Sequence, residues 1–233
     1  MRYKSRIFDT YASVSGLSMP LDSKYQALAH NLGPFLRSTL PGTTLLDIGS
    51  GQGELLALCR TLGVQATGVD ISGELVKNCQ QRGLPVSLIS DLREFLATST
   101  TNWSVITMID VLEHFTRDEA FELVELIAKR ITPQGGKFIV QVPNMQSPFA
   151  ALNLYHDLTH EWGYTEASMR QLLGACGFRN IRLYPQNYPL KGAYLIRHLL
   201  RMLLYSFWKA VLLIDQPSRG SILTPNLIAV AEI

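Results

Sequence analysis

From residue 43 onward, short runs of aliphatic and β-branched residues alternate with segments of helix length. This alternation is typical of parallel βαβ units and predicts a doubly wound α/β sheet. We place seven strands at 43–48, 65–70, 85–89, 103–109, 136–142, 178–184 and 223–231. We place helices at 54–62, 73–82, 117–131 and 165–176. Thr116 stands where it can cap the helix that begins at residue 117.

Length and composition indicate an ordered chain of one domain. The 233 residues are 47% hydrophobic and 17% charged, so we treat 1–233 as a single domain with a sizeable core. Within it, we interpret 1–40 as an N-terminal helical cap. The polar N-terminus does not resemble a secretory signal, and the three cysteines form no metal-like spacing. We therefore expect a cytoplasmic protein with buried cysteines.

The net charge of +2 argues against nucleic acid as the main partner, because such proteins usually carry a strong basic patch. Positive charge is concentrated instead in one segment, 186–222.

A glycine-rich turn follows the first strand, in the segment TLLDIGSGQG at 44–53. Gly49, Gly51 and Gly53 let the backbone bend sharply and approach a ligand, and the next helix offers unpaired amides. Asp47 precedes the first glycine by two residues. This G-x-G-x-G spacing with an acid differs from the G-x-G-x-x-G of dinucleotide folds and suits a cationic ligand better than a pyrophosphate. A purely structural turn and an NAD site are the alternatives.

Two more acids follow the second and third strands. Asp70, in GVDIS, stands where a carboxylate can accept the hydroxyls of a ribose, and its alternative role is to cap the next helix. Asp91, in SDLRE, stands where an adenine amino group would lie. An ordinary loop or cap aspartate is the alternative for this residue.

In this order and spacing, residues 44–53, Asp70, Asp91 and the segment ITMIDVLEHF at 106–115 resemble the class I methyltransferases, which depend on S-adenosylmethionine (SAM). The resemblance implies a Rossmann-like seven-stranded sheet with an antiparallel last strand, and SAM across the carboxyl ends of the first two strands. The cofactor-binding residues implied are Asp47, Gly49, Ser50, Gly51, Gly53, Asp70, Ile71, Asp91, Leu92, Met108, Asp110 and His114.

Glu113 and His114 are similar to an E-H pair of many relatives, in which the histidine often borders the site. The alternative for this pair is a helix-start cap and a packing histidine.

Candidate catalytic residues lie in the segment LYHDLTHEWGYTEASMRQLLGACGF, which is similar to a pattern common among quinone, natural-product and surface-glycan methyltransferases. The resemblance implies that His160 is a general base, with His156 or Asp157 as its helper. The alternative is that His160 only hydrogen-bonds its own loop. We expect no metal site, because three ligands crowded into one loop would lack a distant partner.

A long insertion, 186–222, separates the sixth and seventh strands and contains AYLIRHLLRMLLYSFWKAVLLID. On a helical projection, Arg197, His198, Arg201 and Lys209 share one narrow arc, and the other faces are apolar. The charges interrupt it too often for a membrane span, so we predict an amphipathic helix at 193–214 in a membrane interface. The segment's net charge of +4 would attract anionic lipid. Packing in a homodimer interface or against the sheet is the alternative.

These observations favour a SAM-dependent O-methyltransferase acting on a glycan or lipid-linked sugar hydroxyl at the inner membrane face, with a terminal phosphate as a variant acceptor. The final segment LTPNLIAVA resembles the surface-polysaccharide subgroup. Methylation of a small aromatic or quinone precursor is the enzymatic alternative. A SAM-binding scaffold subunit and an NAD-dependent oxidoreductase are the remaining hypotheses.

Overall fold

A computed structural model describes Lys4, Ile7 and residues 21–37, 42–133, 135–187, 193–215 and 222–233. The strands are β1 (Thr44–Ile48), β2 (Gln65–Asp70), β3 (Val86–Leu88), β4 (Val105–Ile109), β5 (Lys137–Pro143), β6 (Arg179–Pro185) and β7 (Asn226–Glu232). The helices are α1 (Leu21–Asn31), α2 (Gly33–Arg37), α3 (Glu54–Leu62), α4 (Gly73–Gln81), α5 (Leu92–Thr98), α6 (Arg117–Arg130), α7 (Ala150–Tyr155), α8 (Glu166–Ala175) and α9 (Ala193–Asp215). A short 3-10 turn spans Leu112–His114.

The seven strands form one sheet in the order β3-β2-β1-β4-β5-β7-β6. Strands β1 to β5 are parallel, and β7 runs antiparallel to both β5 and β6. The predicted doubly wound seven-stranded fold, with its antiparallel last strand and its helical insertion between β6 and β7, is confirmed. The order reverses between β1 and β4, and in such sheets the carboxyl ends at that point form a binding crevice.

Helices cover both faces of the sheet, so the central strands are buried on both sides. On one face, Ile48, Met108 and Phe138 belong to a cluster that packs against α6 and α8. On the other, Leu45 and Ile139 pack with α1 and α3. Two buried faces explain why these strands appear in the sequence as continuous apolar runs.

Capping residues visible in the sequence mark most helix ends at or near the predicted positions. The Thr116 hydroxyl accepts a hydrogen bond from the Glu119 amide, and the Glu119 carboxylate accepts one from the Thr116 amide, which forms a capping box. A helix was expected between the third and fourth strands, but no bounds were predicted for α5, and helix α7 and the 3-10 turn were not predicted. All three elements are too short to show the helical periodicity of apolar residues in the sequence.

Helices α1 and α2 lie within the predicted N-terminal cap. Apart from Lys4 and Ile7, the remainder of 1–40 lies outside the described residues, as does most of the insertion on either side of α9. None of the helices that the structure describes combines the length and the hydropathy needed to cross a membrane.

Candidate active site

A cavity of about 620 Å³ opens at the carboxyl ends of the central strands. It begins at the glycine-rich turn and reaches the loop that carries the three predicted catalytic residues. The structure therefore brings together eleven of the predicted site residues along one cavity: Gly49, Gly51, Asp70, Ile71, Asp91, Leu92, Asp110, His114, His156, Asp157 and His160.

Two glycines of the turn are required for different reasons. Gly49 has a φ of 70°, and a Cβ on it would lie 2.4 Å from a Val111 methyl carbon, so a larger residue does not fit. Gly51 has a φ of 55°, and a Cβ on it would meet no atom within 4 Å. The Gly51 backbone thus borders open space in the cavity, where a ligand can approach closely.

The Asp70 carboxylate joins the turns that follow β1 and β2. One oxygen accepts a hydrogen bond from the Gly51 amide at 2.8 Å, and the other accepts one from the Ser72 amide at 2.9 Å. Burial raises the pKa of this carboxyl group above its ordinary value. Asp70 therefore supports the turn and also presents its oxygens at the cavity wall.

Asp91 caps α5, accepting hydrogen bonds from the amides of Arg93 and Glu94 at 2.7 and 3.0 Å. Hydrogen bonding from the Glu94 amide, with further contributions from Arg93, lowers the pKa of its carboxyl group. These contacts show that Asp91 is a helix cap, which was the alternative interpretation of this residue. Asp91 also lines the cavity.

Four predicted cofactor-binding residues, Asp47, Ser50, Gly53 and Met108, are not among the residues that line the cavity. Asp47 accepts a hydrogen bond from the Thr107 hydroxyl at 2.8 Å, and Ser50 donates to the Asp47 carbonyl at 3.0 Å. A Cβ on Gly53 would lie 2.5 Å from a Leu84 methyl carbon. Met108 is fully buried in the core. The structure places all four behind the cavity wall, where they support the turn and the strand beside it.

Asp110 adopts a left-handed backbone conformation, with a φ of 57°, which is uncommon outside glycine. The Gln141 side chain donates to its carboxylate at 2.9 Å, and the Asp110 amide donates to the Gln141 carbonyl at 3.0 Å. These two bonds from β5 hold the residue at the cavity wall. Such strain costs about 1–3 kcal/mol and is concentrated at functional sites.

At the far end of the cavity, Glu113, His114 and His160 form a compact group, which we call the Glu-His-His cluster. One carboxylate oxygen and one ring nitrogen of each histidine all lie within 4.8 Å of one another. The Glu113 Oε1 and His160 Nε2 atoms are 3.9 Å apart. Glu113 is only 1% exposed, and burial raises the pKa of its carboxyl group well above the ordinary value.

Burial favours the neutral form of both histidines of the cluster. Burial lowers the pKa of His114 to about 4, and burial also lowers the pKa of His160. The His160 Nδ1 atom lies 3.0 Å from the Leu154 carbonyl, which can only accept, so this nitrogen carries the proton. Its Nε2 atom, which lies 3.9 Å from Glu113 Oε1, is then the unprotonated nitrogen of the ring.

Asp157 acts on His114 through Thr159. The Thr159 hydroxyl is 2.6 Å from an Asp157 carboxylate oxygen and 2.8 Å from His114 Nδ1. Because the hydroxyl has a single proton, which it donates to the carboxylate, it accepts a hydrogen bond from His114 Nδ1. Asp157 had been predicted as a helper of His160, but these contacts orient His114.

Sequence reasoning did not assign several polar residues that border the cavity, among them Lys4, Lys24 and Glu54. Lys4 donates to the His114 carbonyl at 2.7 Å and forms an ion pair with Glu161 at 2.8 Å. No sequence signal linked these lysines to the site, because both precede the first strand.

Residues 21–183 match the family described as "Methyltransferase domain". A ubiquinone biosynthesis O-methyltransferase from Xanthomonas oryzae pv. oryzae is 28% identical over 153 residues, which cover 61% of this chain and 63% of the relative. The chain thus spans less than two thirds of the length of that curated relative.

Two solved structures share the fold at lower sequence identity. A SAM-dependent methyltransferase from Archaeoglobus fulgidus superposes with a TM-score of 0.69 at 20% identity, covering 92% of this chain and 95% of that one. Human N-acetylserotonin methyltransferase, solved in complex with SAM, gives a TM-score of 0.59 at 16% identity, covering 91% of this chain and 54% of that one.

The buried Asp47 generates a prediction about stability. Burial raises the pKa of its carboxyl group from the ordinary value to about 7, so the folded state holds a proton that the unfolded chain releases above pH 4. This residue's contribution to stability therefore falls as pH rises from about 4 to about 7. Asp47→Asn should remove that dependence and raise the free energy of unfolding near pH 8 by up to about 4 kcal/mol, with little change near pH 4.

Urea denaturation of both proteins across this pH range, without cofactor, measures the difference. Asp118→Asn, at an exposed position on α6, is the matched control. A constant difference between Asp47→Asn and the parent protein at all pH values would contradict the assignment of a buried, protonated Asp47.

Proposed function

The chain belongs to the methyltransferase domain family, and we propose that it transfers a methyl group from SAM to a hydroxyl oxygen of a small, apolar acceptor of the phenol or quinone-precursor type. The observation that carries this proposal is the Glu-His-His cluster, which places proton-accepting groups at the far end of a cavity that begins at the nucleotide-binding turn. An oxygen nucleophile needs such groups, because its proton must be removed during the transfer.

The turn favours SAM over a dinucleotide. In dinucleotide folds, free amides of the turn hold a pyrophosphate. Here the Gly51 amide is already bonded to the Asp70 carboxylate, whose negative charge would repel a pyrophosphate. Each Asp70 oxygen still has lone-pair capacity for a ribose hydroxyl, and the apolar side chains of Ile71 and Leu92 offer surfaces for adenine.

Methyl transfer then needs positioning more than covalent assistance. A lone pair of the acceptor oxygen forms the new C–O bond while the S–CH₃ bond breaks. The electron pair of the broken S–CH₃ bond returns to sulfur, which gives S-adenosylhomocysteine. The proton of the hydroxyl passes to the unprotonated Nε2 of His160 or to the neighbouring His156. Alignment of the two reacting atoms in one cavity supplies a large share of the rate.

Exposed apolar side chains in the segment that carries His156 support an apolar acceptor. Phe149, Leu152, Tyr155 and Leu158 are 55%, 69%, 80% and 76% exposed, and they surround the chain segment that carries His156. Large exposed apolar patches usually mark binding surfaces. The O-methyltransferase name of the Xanthomonas relative also favours the quinone-type acceptor over the glycan that the sequence favoured.

A lipid-linked sugar hydroxyl is the second candidate, and helix α9 is the observation in its favour. Its residues Ile196, Leu203, Phe207 and Ile214 are 65%, 70%, 62% and 88% exposed. In the basic and aromatic stripe, His198, Arg201 and Trp208 are half-buried, whereas Arg197 and Lys209 are exposed. An apolar outer face with basic residues along its edge suits the inner face of an anionic membrane.

Cofactor binding can be tested at Asp70. Asp70→Ala should weaken SAM binding by about 5-fold to 150-fold, since about 1–3 kcal/mol of charge-assisted hydrogen bonding is lost. Titration calorimetry with SAM measures this, with Asp118→Ala as control and circular dichroism to verify folding. Asp70→Asn keeps the side-chain volume but removes the negative charge. Comparing it with Asp70→Ala distinguishes an effect of the lost charge from an effect of a disturbed turn conformation. Binding of NAD alone would contradict the proposal.

The acceptor and the base can be tested together. Labelled methyl transfer from SAM should appear in phenolic and quinone-precursor substrates, and in lipid extracts if the second candidate is correct. His160→Ala should lower kcat by about 10²-fold to 10⁴-fold without changing the Kd of SAM, because proton removal is lost. The exposed His30→Ala on α1 is the control. Full turnover by His160→Ala would exclude it as a base and favour an acceptor that is already anionic, such as a terminal phosphate.

Membrane contact can be tested by flotation with vesicles that contain anionic lipid. The parent protein should float, and the triple variant Leu199→Ser, Leu203→Ser and Phe207→Ser should not, because exposed apolar area is removed from α9. Three serine substitutions at the exposed positions Phe121, Glu122 and Glu125 of α6 serve as the control. Equal flotation of all three proteins would contradict the proposal, and loss of a dimer in the α9 variant would assign this face to a second copy of the chain.

A further inference from the structure

We propose that Lys4 is a positioning residue of the acceptor end, where its ammonium group fastens the 3-10 turn that carries His114 to the segment that carries His160. Lys4 lies far before β1 in the chain, outside every motif that the sequence pattern predicted to belong to the site. Only the catalytic consequence of this contact rests on the proposed function.

The Lys4 ammonium group lies at the junction of the two segments. Its Nζ atom donates a hydrogen bond to the His114 carbonyl at 2.7 Å and forms an ion pair with the Glu161 carboxylate at 2.8 Å. His114 is the last residue of the 3-10 turn, and Glu161 directly follows His160. One side chain therefore holds the backbone of the first histidine and the sequence neighbour of the second.

Low solvent exposure distinguishes this contact from an ordinary surface ion pair. The side chain of Lys4 is 11% exposed and that of Glu161 is 28% exposed. Fully exposed ion pairs contribute little because water and salt screen them, whereas partly buried pairs are screened much less. Removing one partner of such a pair also leaves the other charge uncompensated. We therefore expect the loss of Lys4 to disturb the junction.

The end of the 3-10 turn requires donors from other parts of the chain. The last carbonyls of a helix have no partner within the helix. Here the Glu113 carbonyl accepts hydrogen bonds from the amides of Glu161 and Trp162 at 2.8 and 3.2 Å, and the His114 carbonyl accepts its bond from Lys4. Lys4 thus extends by one residue a junction that backbone hydrogen bonds begin.

This junction sets the relative position of the side chains in the Glu-His-His cluster. The ring centroids of His114 and His160 are 4.8 Å apart with an interplanar angle of 66°, and Glu113 Oε1 lies 3.9 Å from His160 Nε2. Because these side chains project from the two fastened segments, a shift of one segment against the other changes both distances. A displacement of about 1 Å can lower the rate of an enzyme by about 100-fold.

Lys4 also lines the cavity, so the fastening point is part of the wall at the acceptor end. The cofactor end has its own support, since the Asp70 carboxylate joins the turns after β1 and β2 there. The two ends are therefore held by separate charged side chains. Loss of Lys4 should affect the acceptor end and leave SAM binding unchanged.

Hydrogen exchange, followed by NMR on the full chain without SAM or acceptor, measures the junction directly. In Lys4→Met, the amides of Glu161 and Trp162 should exchange about 10-fold to 100-fold faster, as expected when a charge-assisted hydrogen bond is lost. The Gly51 amide at the cofactor end should exchange at an unchanged rate. Lys77→Met, at an exposed position on α4, is the matched control.

Two further variants assign the effect to the charged contact. Glu161→Gln should also accelerate exchange, and combining it with Lys4→Met should add less than the sum of the separate changes, because both variants break the same ion pair. Lys4→Arg keeps the positive charge and can donate to both oxygens, so it should restore protection of the junction.

Turnover tests the catalytic consequence. With an acceptor that the parent protein methylates, Lys4→Met should lower kcat by about 10-fold to 100-fold and leave the Kd of SAM unchanged, because only the acceptor end is displaced. Lys4→Arg should recover kcat, and Lys77→Met should match the parent protein. A residue that only stabilised the fold would instead change SAM binding and kcat together.

Unchanged exchange of the Glu161 and Trp162 amides in Lys4→Met would overturn the inference. Equal acceleration at Gly51, an equal effect of Lys77→Met, or an unchanged kcat in an active protein would overturn it as well. Circular dichroism verifies that each variant is folded. The two proposals fail separately, because faster exchange at the junction in a protein that methylates no hydroxyl contradicts the proposed function alone. Methyl transfer that Lys4→Met leaves at full rate contradicts the positioning role alone.

Discussion

The carboxylate of Asp70 is the constraint on which the cofactor end of the cavity depends. It accepts the Gly51 amide with one oxygen and the Ser72 amide with the other, so it ties the turn after β1 to the turn after β2. Parallel strands bring their carboxyl ends to one edge but do not fix the loops that follow. This buried side chain holds both loops together with the Gly49 and Ser50 amides, which donate to the Val69 carbonyl at 2.9 and 3.2 Å.

A second constraint acts at the acceptor end of the cavity, where acidic and histidine side chains are buried with few hydrogen-bond donors around them. Glu113 is buried near Asp110, and the proximity of Asp110 adds to the rise in the pKa of Glu113. Asp110 itself is held in a left-handed conformation by Gln141. A chain selected only for stability would replace such groups with apolar ones. Their presence at the cavity wall indicates that function, not packing, accounts for this part of the structure.

The sequence predicted the sheet well, because strands buried on both faces need continuous apolar runs that are visible without a structure. Strand ends shifted where the last residues lacked a pairing partner: the final strand was predicted from residue 223, whereas pairing begins at Asn226, directly after Pro225. The glycine turn and Asp70 were also predicted, since their roles follow from local backbone geometry. Asp91 was harder to interpret, because a helix cap and a ligand-binding acid have the same sequence signal.

The Glu-His-His cluster could not be predicted in this way. Glu113 and His160 are far apart in the chain, and tertiary contacts bring their segments together, including the bonds from the Glu161 and Trp162 amides to the Glu113 carbonyl. Similarly, Asp157 was assigned to its sequence neighbour His160, although the Thr159 hydroxyl directs it toward His114. Contacts of this kind depend on tertiary structure, and a single sequence carries no periodic or local signal for them.

The positions of the two ends of the cavity explain why acceptor and cofactor are recognised by different physical means. Near Gly51 and Asp70, the cavity wall offers an unobstructed glycine backbone and a fixed carboxylate, which suit the invariant groups of a nucleoside. Near His156, the chain carries the exposed apolar side chains of Leu152 and Tyr155, which are not part of the cavity lining. Apolar contact is weakly directional and scales with area. Under the proposed function, selectivity for the acceptor comes from the point where its oxygen meets the Glu-His-His cluster, and the geometry of those three side chains then decides which hydroxyl is methylated.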